Sequence, residues 1–271
     1  MKVLVIGGVA AGTKTAAKLK RENRDTEVTL LTKDKEISYA GCGLPYYVGN
    51  LIETREELVV NTPAKFAGLT GVTVYTNREA VCLDSASKTL QAKNLETNET
   101  ETYSYDQLVI ATGASPVIPP IPGTDKKGVF KMRTPDDAVS MRSYIETEDV
   151  KKAVVIGAGF IGLEVAENLQ AQGLSVTVID IASQVMPNIL DPEMALYVKR
   201  HLQKNGIRVI TGVKAEEVLG NDQVTGVRTG TGFLPCSLLA VAAGIRPNTA
   251  FLEDTGMEMF KGTILVDEKM R

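Results

Sequence analysis

The sequence predicts an α/β chain of two doubly wound, three-layer units, on three observations. A strand, glycine-turn, helix pattern occurs twice, at Val3 to Gly12 and again at Ala153 to Gly162. Each copy closes on an apolar run that ends in glycine, near Gly113 and near Gly244. The 271 residues exceed the roughly 100–200 of one domain, and the proline-rich stretch 116–123 reads as a linker, because proline continues neither a ladder nor a helix.

Taken in order, copy one reads VLVIGGVAAG, then helical TKTAAKLK, then the strand EVTLLT; copy two reads AVVIGAGFIG, LEVAENLQ and SVTVID. A strand follows in each (Val72 to Thr76; Ile207 to Thr211), then a hairpin with polar turn residues (84–88; 220–223), then the closing strand. The predicted domains are 1–118 and 119–244, with 245–271 returning to the first. Gly7 to Gly113 spans 106 residues and Gly157 to Gly244 spans 87, so copy one carries 19 more. Part of that excess is Ser38 to Asn50, SYAGCGLPYYVGN, centred on Cys42 and without counterpart in copy two. Cys82 and Cys236 fall in alternating or apolar runs and read as packing residues.

With 44% hydrophobic and 23% charged residues the chain is globular, and a net charge of −3 without a basic run excludes nucleic acid and anionic membrane as partners. Three scattered cysteines give neither a disulfide framework nor metal-ligand spacing, which points to the cytoplasm. Lys2 followed by Val3 to Ala11 looks like the start of an export signal. The glycine turn and the helix pattern running on to Lys20 argue against it.

The chemistry lies in the glycines, which let backbone N–H groups approach a pyrophosphate at a helix N-terminus. Gly157, Gly159 and Gly162, with Phe160 and Ile161 between the last two, complete Gly-x-Gly-x-x-Gly. Asp180 ends the next strand, where a carboxylate takes ribose hydroxyls, and no Arg or Lys lies between it and Asp191, so NADH is expected rather than NADPH. Copy one keeps Gly7 and Gly12 but has Val9 at the middle glycine, followed by Ala10 and Ala11, and Thr32 where the acid should stand. Two dinucleotide sites on one chain suit hydride transfer from nicotinamide to flavin.

On GGVAAG, SYAGCGLPYY, YDQLVIATGASP, GAGFIGLE and AAGIRPNT, the chain resembles the FAD-dependent pyridine nucleotide-disulfide oxidoreductases. The likeness is to their single-cysteine branch of coenzyme A-disulfide reductases and NADH oxidases. The resemblance implies FAD on copy one, NAD(P)H on copy two and a redox sulfur at Cys42; the residues alone leave Cys42 open between a presented thiol and a small packed one. A helix starting near Leu44 would favour its thiolate. The resemblance further places Glu164 beside the reacting rings, although an ordinary first-turn acid reads equally well. It assigns Lys20, Arg21 and Ser38 to a coenzyme A-based substrate, and Ala111, Thr112, Gly113, Ala80 and Arg133 to FAD. Gly244 belongs to the second closing strand, and Lys33 or Asp34 would compensate for Thr32.

With one cysteine, the second sulfur comes from the substrate as a mixed disulfide. The implied function is electron transfer from NADH through FAD to coenzyme A disulfide, a persulfide or polysulfide. Two alternatives stand beside it: an NADH oxidase or peroxidase cycling through sulfenic acid at Cys42, and a non-catalytic nucleotide-binding or electron-carrier module. Oxidases and peroxidases of the branch carry histidine at the position of Ala10; the lone histidine here, His201, reads as a solvated helix-face residue. The chain ends before the family's second FAD segment and its dimerisation domain. It is either part of a longer, homodimeric enzyme or a naturally shortened relative, and the former is expected.

Overall fold

The computed structural model describes residues 1–271, which divide into two compact units. The first comprises Met1–Ala40, Val59–Ser115 and Arg246–Arg271; the second comprises Gly41–Leu58 and Pro116–Ile245.

Unit one opens with β1 (Lys2–Ile6), α1 (Ala11–Glu22) and β2 (Glu27–Leu31). The chain then makes α2 (Leu44–Val48), described below with unit two, and α3 (Pro63–Thr70), β3 (Thr73–Tyr75), β4 (Arg78–Asp84), β5 (Thr89–Asn94), β6 (Thr100–Ser104) and β7 (Gln107–Ile110). Strands β3-β2-β1-β7 form a parallel sheet. Alternation splits β1 between two cores. Val3 and Val5 pack with Ala16 of α1 and Phe66 of α3, whereas Leu4 and Ile6 pack with Leu83, Leu90 and Ala92 of the antiparallel sheet β4-β5-β6. Both faces are covered, so the strand is apolar without a break.

A short strand β8 (Ala114–Pro116) leads out of this unit, and unit two repeats the plan with β9 (Val129–Phe130), α4 (Pro135–Thr147), β10 (Lys152–Ile156), α5 (Phe160–Ala171), β11 (Ser175–Asp180), α6 (Pro192–Lys204) and β12 (Arg208–Thr211). Then follow β13 (Ala215–Leu219), β14 (Gly226–Thr229), β15 (Gly232–Pro235) and β16 (Leu238–Val241). Its parallel sheet runs β12-β11-β10-β16-β9, and Val154 and Ile156 face the antiparallel sheet β13-β14-β15 while Ala153 and Val155 face the helices. Each hairpin expected from sequence is thus two strands of a three-stranded sheet.

The segment 41–58 shows why packing and chain order part company here. Leu44, Tyr47, Val48 and Leu58 are buried with Met141 and Tyr144 of α4 and Val165 and Leu169 of α5. Burying each aliphatic side chain is worth about 1.5–3 kcal/mol, which ties the Cys42 insertion to unit two although sequence order places it with unit one.

Cys82 corrects one expectation. It sits on β4 but is exposed. Ala80 pairs with Ala92 and Cys82 with Gln91, so Val81 is an extra residue. This β-bulge reverses the alternation, turning Leu83 inward and Cys82 outward. Cys236 is buried, at 4% exposure, and desolvation pushes its thiol up to about 12. The unfolded thiol ionises near pH 8.5 while the folded one keeps its proton, so the unfolded state binds fewer protons in that window and stability falls as pH rises. Chemical denaturation between pH 9 and 11 is expected to show this group lowering stability by about 1 kcal/mol per pH unit. A Cys236→Ala variant with an unchanged slope would refute the assignment.

Candidate active site

In both units the central strand runs into a glycine that no other residue replaces. Gly7 has φ +111° and Gly157 has φ +110°, values that L side chains avoid. A Cβ on either would overlap a carbonyl oxygen of the neighbouring strand end, that of Ala111 for Gly7 and that of Ala242 for Gly157. The same strand ends are tied back, Ala111 N–H donating to Ile6 (2.7 Å) and Ala242 N–H to Ile156 (2.7 Å). Gly12 and Gly162 sit against the carbonyls of Gly7 and Gly157, where a Cβ would overlap them in turn.

A second lock repeats as well. Ser38 N–H donates to Gly8 (2.8 Å) and Met186 N–H to Ala158 (2.9 Å), each to the residue after the first glycine. Both donors are non-glycine residues at positive φ, +52° and +48°. Such backbone costs on the order of 1–3 kcal/mol and persists only where its surroundings hold it. The sequence marked Ser38 through the family likeness; Met186 carried no signal, because a positive φ on methionine has no compositional mark.

Both helices that follow begin without a side-chain cap and without an acid in the first turn, whereas Thr62, Thr134 and Asp191 cap α3, α4 and α6. Free N–H groups beside a glycine cradle suit a phosphate. The residues of both loops therefore fit a dinucleotide. Val9, Ala10 and Ala11 form the rest of the first loop; Phe160 and Ile161 are exposed on the second.

Asp180 is poised at the end of β11. Its Oδ2 accepts from Ala158 N–H (2.6 Å) and its Oδ1 from Ala182 N–H (2.7 Å), which fixes the carboxylate and leaves lone pairs for ribose hydroxyls. Ile181, beside it, is 71% exposed and offers no cation. Asp180→Ala is expected to raise the KM for NADH about tenfold and that for NADPH less, consistent with ~1.5–3 kcal/mol for hydrogen bonds to a charged group. Unchanged discrimination between the two nucleotides would sink this role.

The corresponding end of β2 is different. Thr32 is buried and packs against Gly8. Lys33 Nζ lies 3.5 Å from Glu79 Oε1, and Asp34 Oδ2 accepts from Tyr39 OH at 3.5 Å. Carboxylates thus stand near this strand end, on Asp34 and on Glu79, the residue before Ala80. Sequence reading missed Glu79 because it is far away along the chain.

Thr112 and Gly113, at the strand end of unit one, are clasped by Asn248. Thr112 Oγ1 donates to Asn248 O (2.8 Å), Asn248 Nδ2 to Thr112 O (3.0 Å), Asn248 N–H to Gly113 O (3.0 Å), and Ser115 Oγ to Asn248 Oδ1 (2.7 Å). Asn248 lies inside AAGIRPNT, so the motif was visible and the clasp was not. Gly244, φ +115°, is exposed after β16.

A cavity of about 480 Å³ opens in unit one beside the first glycine loop, lined among others by Ala10, Lys14, Ser38, Tyr39 and Asn61. Lys14 is its cation. Of the two basic residues expected for substrate, Lys20 is turned to the loop between α1 and β2, its ammonium donating to Arg24 O (2.6 Å) and Thr26 O (3.0 Å). Arg21 is exposed, seven residues from Lys14 and so on the same face of α1.

Cys42 is exposed on the 3₁₀ turn Gly41–Gly43 that leads into α2. The helix does begin at Leu44, but it has five residues. Glu164, half-buried, is the fifth residue of α5 rather than a first-turn acid, and its carboxylate is unpaired. Arg133 is half-buried just before α4. His201 is exposed on α6, as a solvated helix-face residue should be.

The family model for pyridine nucleotide-disulphide oxidoreductases matches residues 1–271. The chain belongs to this family. Membership of the pyridine nucleotide-disulphide oxidoreductases makes FAD and NADH its cofactors. An NADH oxidase of Methanocaldococcus jannaschii is 37% identical over the whole chain, and a coenzyme A disulfide reductase of Staphylococcus haemolyticus is 31% identical over 99% of it. The chain spans 60% of the length of each. Among solved structures, an NAD-dependent persulfide reductase from A. fulgidus superposes with a TM-score of 0.95 at 38% identity, covering 100% of this chain and 51% of that one.

Proposed function

We propose that this oxidoreductase passes electrons from NADH through FAD to a low-molecular-weight disulfide, persulfide or polysulfide of coenzyme A type, and that Cys42 is the sulfur that receives them. The observation that carries the reading is the cavity beside the first glycine loop. It presents Lys14, Ser38 and Asn61 to a ligand, and its size lies in the roughly 300–1,000 Å³ range of small-molecule sites. Cys42 stands four residues after Ser38 with no second cysteine near it in sequence.

When bound, FAD supplies a hydride acceptor for NADH and a donor of electron pairs to sulfur. The chain's own part begins with the Cys42 thiolate attacking one sulfur of R–S–S–R. The substrate S–S bond breaks, RS⁻ leaves, and Cys42–S–S–R forms. Two electrons drawn from NADH then cleave that bond, returning the Cys42 thiolate and a second RS⁻. In sum, NADH, H⁺ and RSSR give NAD⁺ and 2 RSH. Asp180 holds the nucleotide, Glu164 faces it as an unpaired carboxylate on the helix after the second loop, and Lys14 with Arg21 meets the phosphates of the substrate. The full-length protein is proposed to act as a cytoplasmic homodimer.

Lys14→Ala is expected to raise the KM for coenzyme A disulfide about tenfold while leaving bis(2-hydroxyethyl) disulfide, which carries no phosphate, within twofold; one screened ionic contact is worth up to ~1.4 kcal/mol. Equal effects on both substrates would contradict the site. The name of the M. jannaschii relative favours a second reading, oxygen as acceptor. Ala10 opposes it, since a methyl side chain moves no proton. Anaerobic titration with NADH, then coenzyme A disulfide or oxygen in turn, separates the two: turnover with oxygen alone selects the oxidase.

A further inference from the structure

We propose that Arg142, on α4, is the positioning residue for Cys42. The proposal rests on the reading of Cys42 as the electron-receiving sulfur and adds what holds that sulfur in place. A helix of five residues has no stability of its own, since nucleation costs more than one turn returns. The place of α2, and of the Gly41–Gly43 turn running directly into it, is therefore set by what it packs against.

Three contacts within unit two do this. Leu44, Tyr47 and Val48 are sunk among residues of α4 and α5. Gly49 lies against Asn168 of α5, where a Cβ would overlap the amide oxygen. Arg142 supplies the directional part. Its Nη1 donates to the backbone carbonyls of Tyr47 (3.4 Å), Ile52 (3.3 Å) and Glu53 (3.0 Å), and its guanidinium lies 4.6 Å from the centre of the Tyr47 ring. Nε is held by Glu146 at 3.0 Å. A planar cation with several donors can stack and bridge at once; an ammonium cannot. Apolar burial tolerates sliding, whereas bonds to three carbonyls do not. Arg142 thereby fixes where α2 ends, and through its five residues where the sulfur begins. Misplacing a reacting atom by about 1 Å can cost around 100-fold in rate.

The test separates two half-reactions in the FAD-loaded protein by stopped-flow absorbance: bleaching by NADH, then recovery on adding coenzyme A disulfide. Arg142→Met is expected to slow recovery at least tenfold and leave bleaching within twofold, with Arg142→Lys between the two. Gly49→Ala, a lesion on the other side of α2, should give the same pattern, and with Arg142→Lys it carries the test if the methionine variant does not fold. A readout independent of flavin is the rate at which an aromatic disulfide labels Cys42, resolved by peptide mass spectrometry. It should fall in Arg142→Met while exposed Cys82 labels as before and buried Cys236 stays unlabelled. Recovery within twofold of wild type overturns the proposal. So does equal loss of both half-reactions with Cys236 becoming labelled, which would mark Arg142 as a stability residue. If Cys42→Ser itself still reduces the disulfide, the reading of Cys42 fails instead, and the two failures are distinct.

Discussion

Cys42→Ser is expected to stop reduction of coenzyme A disulfide, by about three orders of magnitude or more, while NADH still bleaches the flavin at close to its normal rate. The size follows from the chemistry. A hydroxyl in place of the thiol neither forms nor leaves a disulfide, so the sulfur step has no alternative route through the side chain. The selectivity follows from the fold, since Cys42 sits on a separate turn and not in either glycine loop. Stopped-flow bleaching under anaerobic conditions, followed by addition of the disulfide, measures both halves in one experiment. Full disulfide turnover by the serine variant would remove the sulfur from the mechanism. Loss of bleaching as well would mean that Cys42 supports the nucleotide sites structurally. Variants of Cys82 and Cys236 should turn over normally.

The second large effect comes from one lesion made in two places. Gly7→Ala puts a methyl into the Ala111 carbonyl at φ +111°, and Gly157→Ala puts one into the Ala242 carbonyl at φ +110°. Each combines a steric overlap with a backbone that alanine does not adopt, and each should cost its unit several kcal/mol. The consequences are expected to differ on the proposal that the first loop holds FAD and the second NADH. Gly7→Ala protein should purify colourless, with flavin affinity reduced at least 100-fold. Gly157→Ala protein should stay yellow and lose bleaching by NADH. Flavin absorbance after gel filtration, followed by NADH titration, reads both. A colourless Gly157→Ala protein would show that the loops have been assigned the wrong way round.

Much of the fold was legible because two kinds of signal coincide. Apolar runs such as VLVI and AVVI mark strands covered on both faces, and glycines at fixed offsets mark the turns that no other residue tolerates. The repetition made each weak signal stronger: Gly7 and Gly12 alone would not have identified a nucleotide loop without Gly157, Gly159 and Gly162 beside them. What escaped was set by tertiary packing. Cys82 read as an inward residue because alternation was counted through Val81, and one bulged residue reverses it. The family likeness marked Lys20 as a substrate cation, and its ammonium bonds carbonyls of the loop that follows its own helix, while Lys14 lines the cavity. Asn248 bonds the strand end at Thr112, Gly113 and Ser115, and Arg142 the backbone carbonyls of Tyr47, Ile52 and Glu53, all far away in sequence, and such partners leave no pattern in the chain.

The grouping of residues 41–58 with α4 and α5 has a practical corollary for anyone dissecting this enzyme. A truncation after residue 118 looks natural from the repeat, but it would strip Leu44, Tyr47, Val48 and Leu58 of the helices that shelter them. Such a piece would present a sticky apolar ribbon next to the exposed thiol of Cys42. It should aggregate or cross-link through Cys42, and recombinant half-enzymes are better drawn by transplanting that ribbon together with its shelter.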